Sequence, residues 1–199
     1  MTFHRAGPIM RNLIVIIALS LGLMSPVAAN PGFDLGPSIG AKAPSIGTPQ
    51  DATGKARSMQ SLMGDKGLVL FFFRTTVWCP YCAAQLLAMN ASVADIEGRG
   101  YHLAGISYDP PEPEAAFTKK WDIHYTLLAD PKSEVIDRYN LRDPAYPAGN
   151  LAYGVPRPII FILNRDGTIR AKLYEESYKN RPPVSLILET LDKLSGAQK

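Results

Sequence analysis

The feature that most constrains this chain is an apolar run that leads directly into both of its cysteines. Six consecutive apolar residues, Leu68 to Phe73, are too few to cross a membrane and too uniform for a half-exposed strand, so they predict a strand buried on both faces. A short polar loop follows, and residues 83–89 are rich in strong helix formers. The sequence therefore places Cys79 and Cys82 at a strand-to-helix turn.

This placement gives the two thiols different chemistry. Pro80 suits the first position of a helix, which puts Cys79 at or beside the N-cap, where unpaired backbone N–H groups and the helix dipole favour an anion. Thiols in Cys-x-x-Cys motifs at helix starts have pKa values of roughly 3.5–7.5, and the thiolate is the nucleophile. Cys79 is therefore the predicted nucleophile, and Cys82, one helical turn further, is its predicted resolving partner.

Two structural interpretations of the cysteine pair fit less well. A bridge that closes so short a loop removes little entropy from the unfolded chain. Structural zinc needs four ligands, and outside the first residues the chain offers two cysteines with His102 and His124. The prediction is therefore a redox-active pair that uses neither a metal nor an organic cofactor.

The segment Trp-Cys-Pro-Tyr-Cys, placed after a buried apolar strand, resembles the thioredoxin-fold superfamily. The resemblance is to the redoxin branch, which contains the alkyl hydroperoxide reductase/thiol-specific antioxidant (AhpC/TSA) peroxiredoxins and periplasmic thioredoxin-like proteins. It extends to residues 40–62, which read as the extended segment, turn and short helix by which redoxin domains begin. The resemblance implies an α/β, thioredoxin-like three-layer fold with a central mixed β-sheet flanked by helices.

The remainder of the chain alternates in the way an α/β domain requires. Strands are predicted for residues 101–108, 125–129, 158–163 and 168–173, and helices for 112–121, 133–139 and 184–194. Leu186, Leu191 and Leu194 are predicted to form the apolar stripe of the last helix. Residues 142–154 are rich in Pro and Gly and predict a loop, either a lid or a plain connection.

The amino-terminal residues have the composition of an export signal. Residues 1–29 carry Arg5 and Arg11, no acidic residue, an apolar core and small residues before Asn30, which predicts a cleaved signal peptide, with an uncleaved anchor as the alternative. Residues 30–39 predict a flexible linker and 40–199 the redoxin domain. We therefore expect the protein to be exported to a periplasm and to keep no stable membrane span after cleavage.

Charge argues against a nucleic-acid partner. The chain has 21 basic and 18 acidic residues, and loss of Arg5 and Arg11 with the leader leaves 21 − 2 = 19 against 18. A domain so close to neutrality lacks the basic surface that nucleic-acid binding needs.

The family resemblance also implies further site residues. The peroxiredoxin motif Pro-x-x-x-Thr-x-x-Cys places its Thr on Thr76 and its peroxidatic cysteine on Cys79, although Phe72 replaces the proline. The second arginine of the family falls at Pro158, so Arg157 or Arg74 is the candidate for the positive charge that holds peroxide.

Thioredoxin-fold proteins also hold a proline in cis opposite the cysteines, and Pro158 resembles it. Trp78, Pro80 and Pro158 are accordingly the candidate substrate contacts. No carboxylate interrupts residues 68–73, so the buried acid of many thioredoxins is missing from the expected strand.

Two reactions fit this set of residues. In one, Cys79 reduces a small peroxide, condenses with Cys82 to a disulfide and is restored by an external thiol reductant, either thioredoxin-like or a membrane thiol relay. In the other, Cys79 attacks a protein disulfide and Cys82 releases the product. A redox-inactive binding module on the same fold is the non-enzymatic alternative. The redoxin-like start of the domain at Gly40 and the motif threonine Thr76 favour the peroxidase.

Overall fold

The computed structural model describes residues 1–2 and 34–196. The chain divides into two compact units, Met1–Pro31 and Gly32–Lys199, and every helix and strand given below belongs to the second. The predicted signal peptide lies outside the described residues except for Met1 and Thr2, as do residues 30–33 of the predicted linker. Within the described part of the chain, no helix combines the length and the apolar character that crossing a bilayer would require.

Six helices and five strands alternate along the described residues. The strands are β1 (Gly67–Phe72), β2 (Tyr101–Ser107), β3 (Thr126–Ala129), β4 (Ile159–Asn164) and β5 (Ile169–Leu173). The helices are α1 (Met59–Leu62), α2 (Pro80–Asn90), α3 (Val93–Glu97), α4 (Pro111–Trp121), α5 (Glu134–Arg138) and α6 (Val184–Gly196).

The strands form one mixed sheet in the order β3-β2-β1-β4-β5. β1 pairs in parallel with β2 and antiparallel with β4, while β2 and β3 are parallel and β4 and β5 antiparallel. A hairpin turn at Asp166-Gly167 joins β4 to β5, with Gly167 at φ +80°, a conformation that glycine adopts without steric cost. The mixed sheet flanked by helices confirms the predicted fold class.

β1 is the central strand and all six of its residues are buried. Because side chains alternate across a strand, Leu68, Leu70 and Phe72 enter one core and Val69 and Phe71 the other. The first core also contains buried residues of α1 and α5, and the second contains those of α2, α3, α4 and α6. Helices therefore cover both faces of the sheet, which is why the run after Gly67 is apolar without a break.

The structure differs from the sequence-based expectations in four respects. α3 was not predicted, since five residues are too short to show a helical period. Leu186 is 36% exposed, and Ile187 takes its place beside Leu191 on the buried stripe of α6. The described residues contain no cis peptide bond, so Pro158 is trans. Leu35 is buried in the core, so packed structure begins before Gly40 and inside the predicted linker.

Candidate active site

The cysteines lie where β1 gives way to α2. Cys79 is the N-cap of α2 with extended backbone (φ −103°, ψ 97°), and Pro80 occupies the first helical turn. The backbone N–H of Cys82 donates to Cys79 Sγ at 3.1 Å, so the sulfur serves as the capping acceptor. Cys79 and Cys82 form a disulfide with their Cα atoms 5.2 Å apart. Cys79 is 5% exposed and Cys82 is wholly buried, so an attacking group reaches Cys79 first.

A single carboxylate fixes the loop before Cys79. Asp109, just after β2, accepts hydrogen bonds from Thr75 Oγ1 at 2.7 Å, from Thr76 Oγ1 at 2.9 Å and from the Thr76 backbone N–H at 2.7 Å. Thr76, the threonine that matches the family motif, thus has its hydroxyl engaged by Asp109 in the disulfide form. Asp109 was not among the site residues expected from the sequence, although an acid that directly follows a buried strand and precedes two prolines was a usable signal.

A second buried acid lies behind Asp109. Ser107 Oγ donates to Glu114 Oε1 at 2.9 Å and accepts from the Asp109 backbone N–H at 3.0 Å. Glu114 is fully buried, and its other oxygen has no hydrogen-bond partner. Burial raises the pKa of Glu114 well above its ordinary value, and the charge of Asp109 adds to this while the Ser107 hydrogen bond opposes it. Buried acids are therefore present, but after β2 and in α4 rather than in β1.

Arg74, a candidate for the charge that holds peroxide, is wholly buried. Its Nη1 donates to Asp143 Oδ2 at 3.0 Å, while Nε and Nη2 are buried with no hydrogen-bond partner. Its guanidinium stacks on three rings, those of Trp78, Tyr146 and Tyr178, at 5.3, 4.7 and 4.3 Å from their centroids. Arg74 is thus tied to a carboxylate and aromatic rings rather than to a sulfur.

Arg181 supplies the guanidinium that approaches a cysteine. It lies in the connection of residues 174–183, between β5 and α6, and its Nη2 is 3.5 Å from Cys82 Sγ. Burial, helped by the nearby charge of Arg74, lowers the pKa of Arg181 to about 10. Arg181 was not among the site residues expected from the sequence, because nothing in the local sequence shows which surface the connection crosses.

The other candidates lie on two sides of this centre. Trp78 is 45% exposed and donates from Nε1 to the Tyr108 hydroxyl at 3.2 Å, and Pro80 is exposed, so both are open to a substrate. Arg157 and Pro158 are half-buried and line a separate cavity of about 340 Å³, whose wall includes Asp143 and Tyr178. The structure therefore brings Trp78 and Pro80 to the disulfide, and sets Arg157 and Pro158 beside the Arg74 pair.

Comparison with known proteins places this arrangement in a family. Residues 39–172 match the profile of the AhpC/TSA family. A putative peroxiredoxin bcp of Haemophilus influenzae is 30% identical over 132 residues, which cover 66% of this chain and 83% of that protein. A chloroplastic peroxiredoxin Q of Gentiana triflora is 30% identical over 150 residues, covering 75% of this chain and 64% of the relative.

A solved structure supports the same fold. The crystal structure of peroxidoxin BcpB from Mycobacterium tuberculosis superposes with a TM-score of 0.67 at 22% identity, covering 78% of this chain and 97% of that one. Identity at this level speaks to the fold alone, while the family profile and the H. influenzae relative carry the assignment. The chain therefore belongs to the AhpC/TSA family and is a thiol oxidoreductase of the peroxiredoxin-like class.

Proposed function

We propose that this protein is an exported thiol peroxidase in which Cys79 is the peroxidatic cysteine and Cys82 the resolving cysteine. The observation that carries the proposal is the Cys79 sulfur at the N-cap of α2, where it accepts the Cys82 N–H and is disulfide-bonded to the same residue. Backbone N–H groups at a helix N-terminus stabilise negative charge, so this position favours the thiolate needed for attack.

The proposed cycle has three steps. The Cys79 thiolate attacks the terminal oxygen of a peroxide ROOH, which breaks the O–O bond, leaves a sulfenic acid on Cys79 and releases RO⁻, which takes up a proton to give the alcohol or water. The Cys82 thiolate then attacks the Cys79 sulfur and expels hydroxide to form the disulfide. An external dithiol, thioredoxin-like or from a membrane thiol relay, reduces the disulfide by exchange.

The surroundings of the disulfide support this cycle. Asp109 ties down Thr75 and Thr76, so the loop before Cys79 is held rigid while the sulfur reacts. Arg181, whose Nη2 is 3.5 Å from Cys82 Sγ, places positive charge beside the resolving sulfur, where it favours the thiolate. In this proposal Trp78 and Pro80 contact the incoming substrate, and Arg157 and Pro158 line the neighbouring cavity rather than the reacting atoms.

The test is stopped-flow mixing of the reduced protein with hydrogen peroxide, followed by tryptophan fluorescence. The chain has two tryptophans, Trp78 beside Cys79 and Trp121 at the end of α4, so a Trp121→Phe variant isolates the signal of Trp78. We expect a first phase whose rate is proportional to peroxide concentration and a second phase independent of it. A protein that shows no peroxide-dependent phase, while its disulfide still exchanges with substrate proteins, is an exchanger and not a peroxidase.

Export is a separate part of the proposal and has its own test. It rests on the basic, apolar and small-residue order of residues 1–29. Expression of the full chain in a bacterium, followed by amino-terminal sequencing of the protein released from the periplasm, is expected to give a mature start at Asn30. Recovery of protein with Arg5 intact in the membrane fraction would instead establish an uncleaved anchor.

A further inference from the structure

The connection of residues 174–183 brings a cation to the resolving sulfur. Cys82 is wholly buried, and Arg181 Nη2 lies 3.5 Å from its Sγ, within reach of a hydrogen bond to sulfur. Tyr178 of the same connection stacks on Arg74 at 4.3 Å and meets Tyr81 of α2 edge to face at 6.2 Å. The connection is therefore packed against the site by its aromatic side chain, and Arg181 is held in place over α2.

The charge of Arg181 is not balanced by a carboxylate. Its Nη1 donates to the Asn180 carbonyl at 3.1 Å, and its Nε is buried without a hydrogen-bond partner. Within residues 34–196, no Asp or Glu forms an ion pair with it. A partly buried cation without a counter-ion is destabilising, and a negative charge that arises beside it during the reaction cycle offsets that penalty.

The other charged groups around the site are already matched. Arg74, from the loop after β1, has Asp143 as its partner at 3.0 Å. Asp109, after β2, accepts from Thr75 and Thr76. Glu114 of α4 accepts a hydrogen bond from the Ser107 hydroxyl. The disulfide itself carries no charge, so the negative charge that Arg181 lacks arises only when a sulfur ionises.

We propose that Arg181 is a catalytic residue that stabilises the thiolate of Cys82, the resolving cysteine. The proposal rests on the dithiol/disulfide cycle given above and assigns a cation to its second sulfur. Cys82 carries negative charge in two steps of that cycle. It attacks the Cys79 sulfenic acid as a thiolate and expels hydroxide, and it leaves as a thiolate when an external thiolate attacks Cys79 and forms a mixed disulfide there.

The two sulfurs then have separate sources of stabilisation. Cys79 is served by the start of α2 and by the Cys82 N–H, so it holds the charge in the resting dithiol. Once Cys79 is a sulfenic acid or a mixed disulfide, Cys82 is the one remaining thiol of the chain. A guanidinium in contact with that thiol favours its ionised form, and we expect the thiolate fraction near neutral pH to be about tenfold higher than without it.

The decisive experiment measures the acidity of Cys82 without any peroxide. In a Cys79→Ser background, Cys82 is the sole cysteine, and its ionisation is followed by thiolate ultraviolet absorbance as a function of pH. We compare Arg181→Met and Arg181→Lys with Lys179→Met, which removes an exposed positive charge from the same connection. We expect Arg181→Met to lower the acidity constant of Cys82 about tenfold or more. Arg181→Lys should keep the acidity constant close to that of the unaltered arginine, and Lys179→Met should change it less than about twofold.

A kinetic measurement tests the same assignment, and Arg181→Gln, which removes the charge but keeps a polar side chain, replaces Arg181→Met if that variant folds poorly. With both cysteines present, the variant without the Arg181 charge should keep the rate of the peroxide-dependent phase within about twofold of the unaltered protein. Its disulfide-forming phase should be slower, with a higher pH midpoint. A merely structural role would slow both phases and leave that midpoint in place. An unchanged Cys82 acidity in Arg181→Met overturns the proposal, whereas loss of the peroxide-dependent phase in the unaltered protein overturns the peroxidase assignment only.

Discussion

The loop of residues 74–79 and the connection of residues 174–183 each contribute an arginine to the surroundings of the disulfide. The two arginines differ in their burial and in their partners. Arg74 is wholly buried and has a carboxylate partner, Asp143, and three stacked rings. Arg181 is half-buried, has no carboxylate partner within residues 34–196 and faces Cys82 Sγ. A cation that is neutralised in the folded protein holds structure together, while one left without a counter-ion is available to a charge that the reaction creates.

The first prediction compares the loss of Cys79, at the end of the loop, with the loss of Cys82, which contacts the connection, and its effects should be the largest. Cys79→Ser should lower peroxide reduction on the order of a thousandfold or more, because a serine hydroxyl is not ionised near neutral pH. Cys82→Ser should preserve the first turnover and lose sustained turnover, because the intermediate on Cys79 then lacks its resolving thiol. Single-turnover and steady-state peroxide consumption measure the two quantities, and equal losses in both variants would contradict the assignment.

A second prediction concerns the structural role of the loop arginine. Asp143→Ala leaves the fully buried charge of Arg74 without its partner, and loss of one partner of a buried ion pair costs about 3–5 kcal/mol of the free energy of unfolding. Urea denaturation measures the change. The matched control is Asp192→Ala, which breaks the solvent-exposed Arg99 pair and should shift the transition little. The double variant Arg74→Met with Asp143→Ala should recover part of the loss, and no recovery would contradict the pairing.

A third prediction follows from the buried acid behind the loop. The folded-state pKa of Glu114 is raised above the ordinary value of 4.5, so its contribution to stability is fully present below that pH and is lost as pH rises through the raised value. The free energy of unfolding should therefore fall with rising pH by up to about 1.4 kcal/mol per pH unit from this group alone.

Glu114→Gln should remove that fall, because a neutral amide replaces the acid. Urea denaturation across a pH series is expected to show the variant gaining stability relative to the unaltered protein as pH rises. Glu112→Gln, on the exposed side of the same helix, is the matched control for the substitution. A difference between Glu114→Gln and the unaltered protein that does not change with pH would contradict the raised pKa of Glu114.

The smallest effect tests how the connection is held against the loop. Tyr178 stacks on the buried guanidinium of Arg74 at 4.3 Å, and such a desolvated cation–π contact contributes about 0.5–2 kcal/mol. Tyr178→Leu should lower stability by that amount and make the 174–183 connection more sensitive to limited proteolysis. Tyr153→Leu, which loses an exposed ring stacked on Arg142, is the control and should leave proteolysis of the connection unchanged.

The fold could be predicted from the sequence because its signals are local. An unbroken apolar run produced β1, the Asp-Gly pair produced the β4/β5 hairpin, and each predicted boundary falls within a few residues of the observed one. The N-cap position of Cys79 was also predictable, since Pro80 and the helix formers after it define the start of α2.

The charged surroundings of the disulfide could not be predicted in the same way. Arg74 pairs with Asp143, which is 69 residues away in the sequence, and Cys82 contacts Arg181, which is 99 residues away. Such contacts depend on how loops and connections cross the edge of the sheet, which carries no periodic pattern. Pro158 shows that a family resemblance can also mislead. The resemblance predicted a cis peptide bond before Pro158, and the bond is trans.

The measurement that most directly tests the central claim is chemical trapping on the Cys82→Ser variant. The reduced variant is exposed to hydrogen peroxide in the presence of dimedone, which labels sulfenic acids, and in parallel is expressed in cells to collect mixed disulfides. We expect stoichiometric dimedone on Cys79, formed in proportion to peroxide. Absence of the label together with capture of partner proteins through Cys79 would contradict the peroxidase account and establish a protein disulfide exchanger.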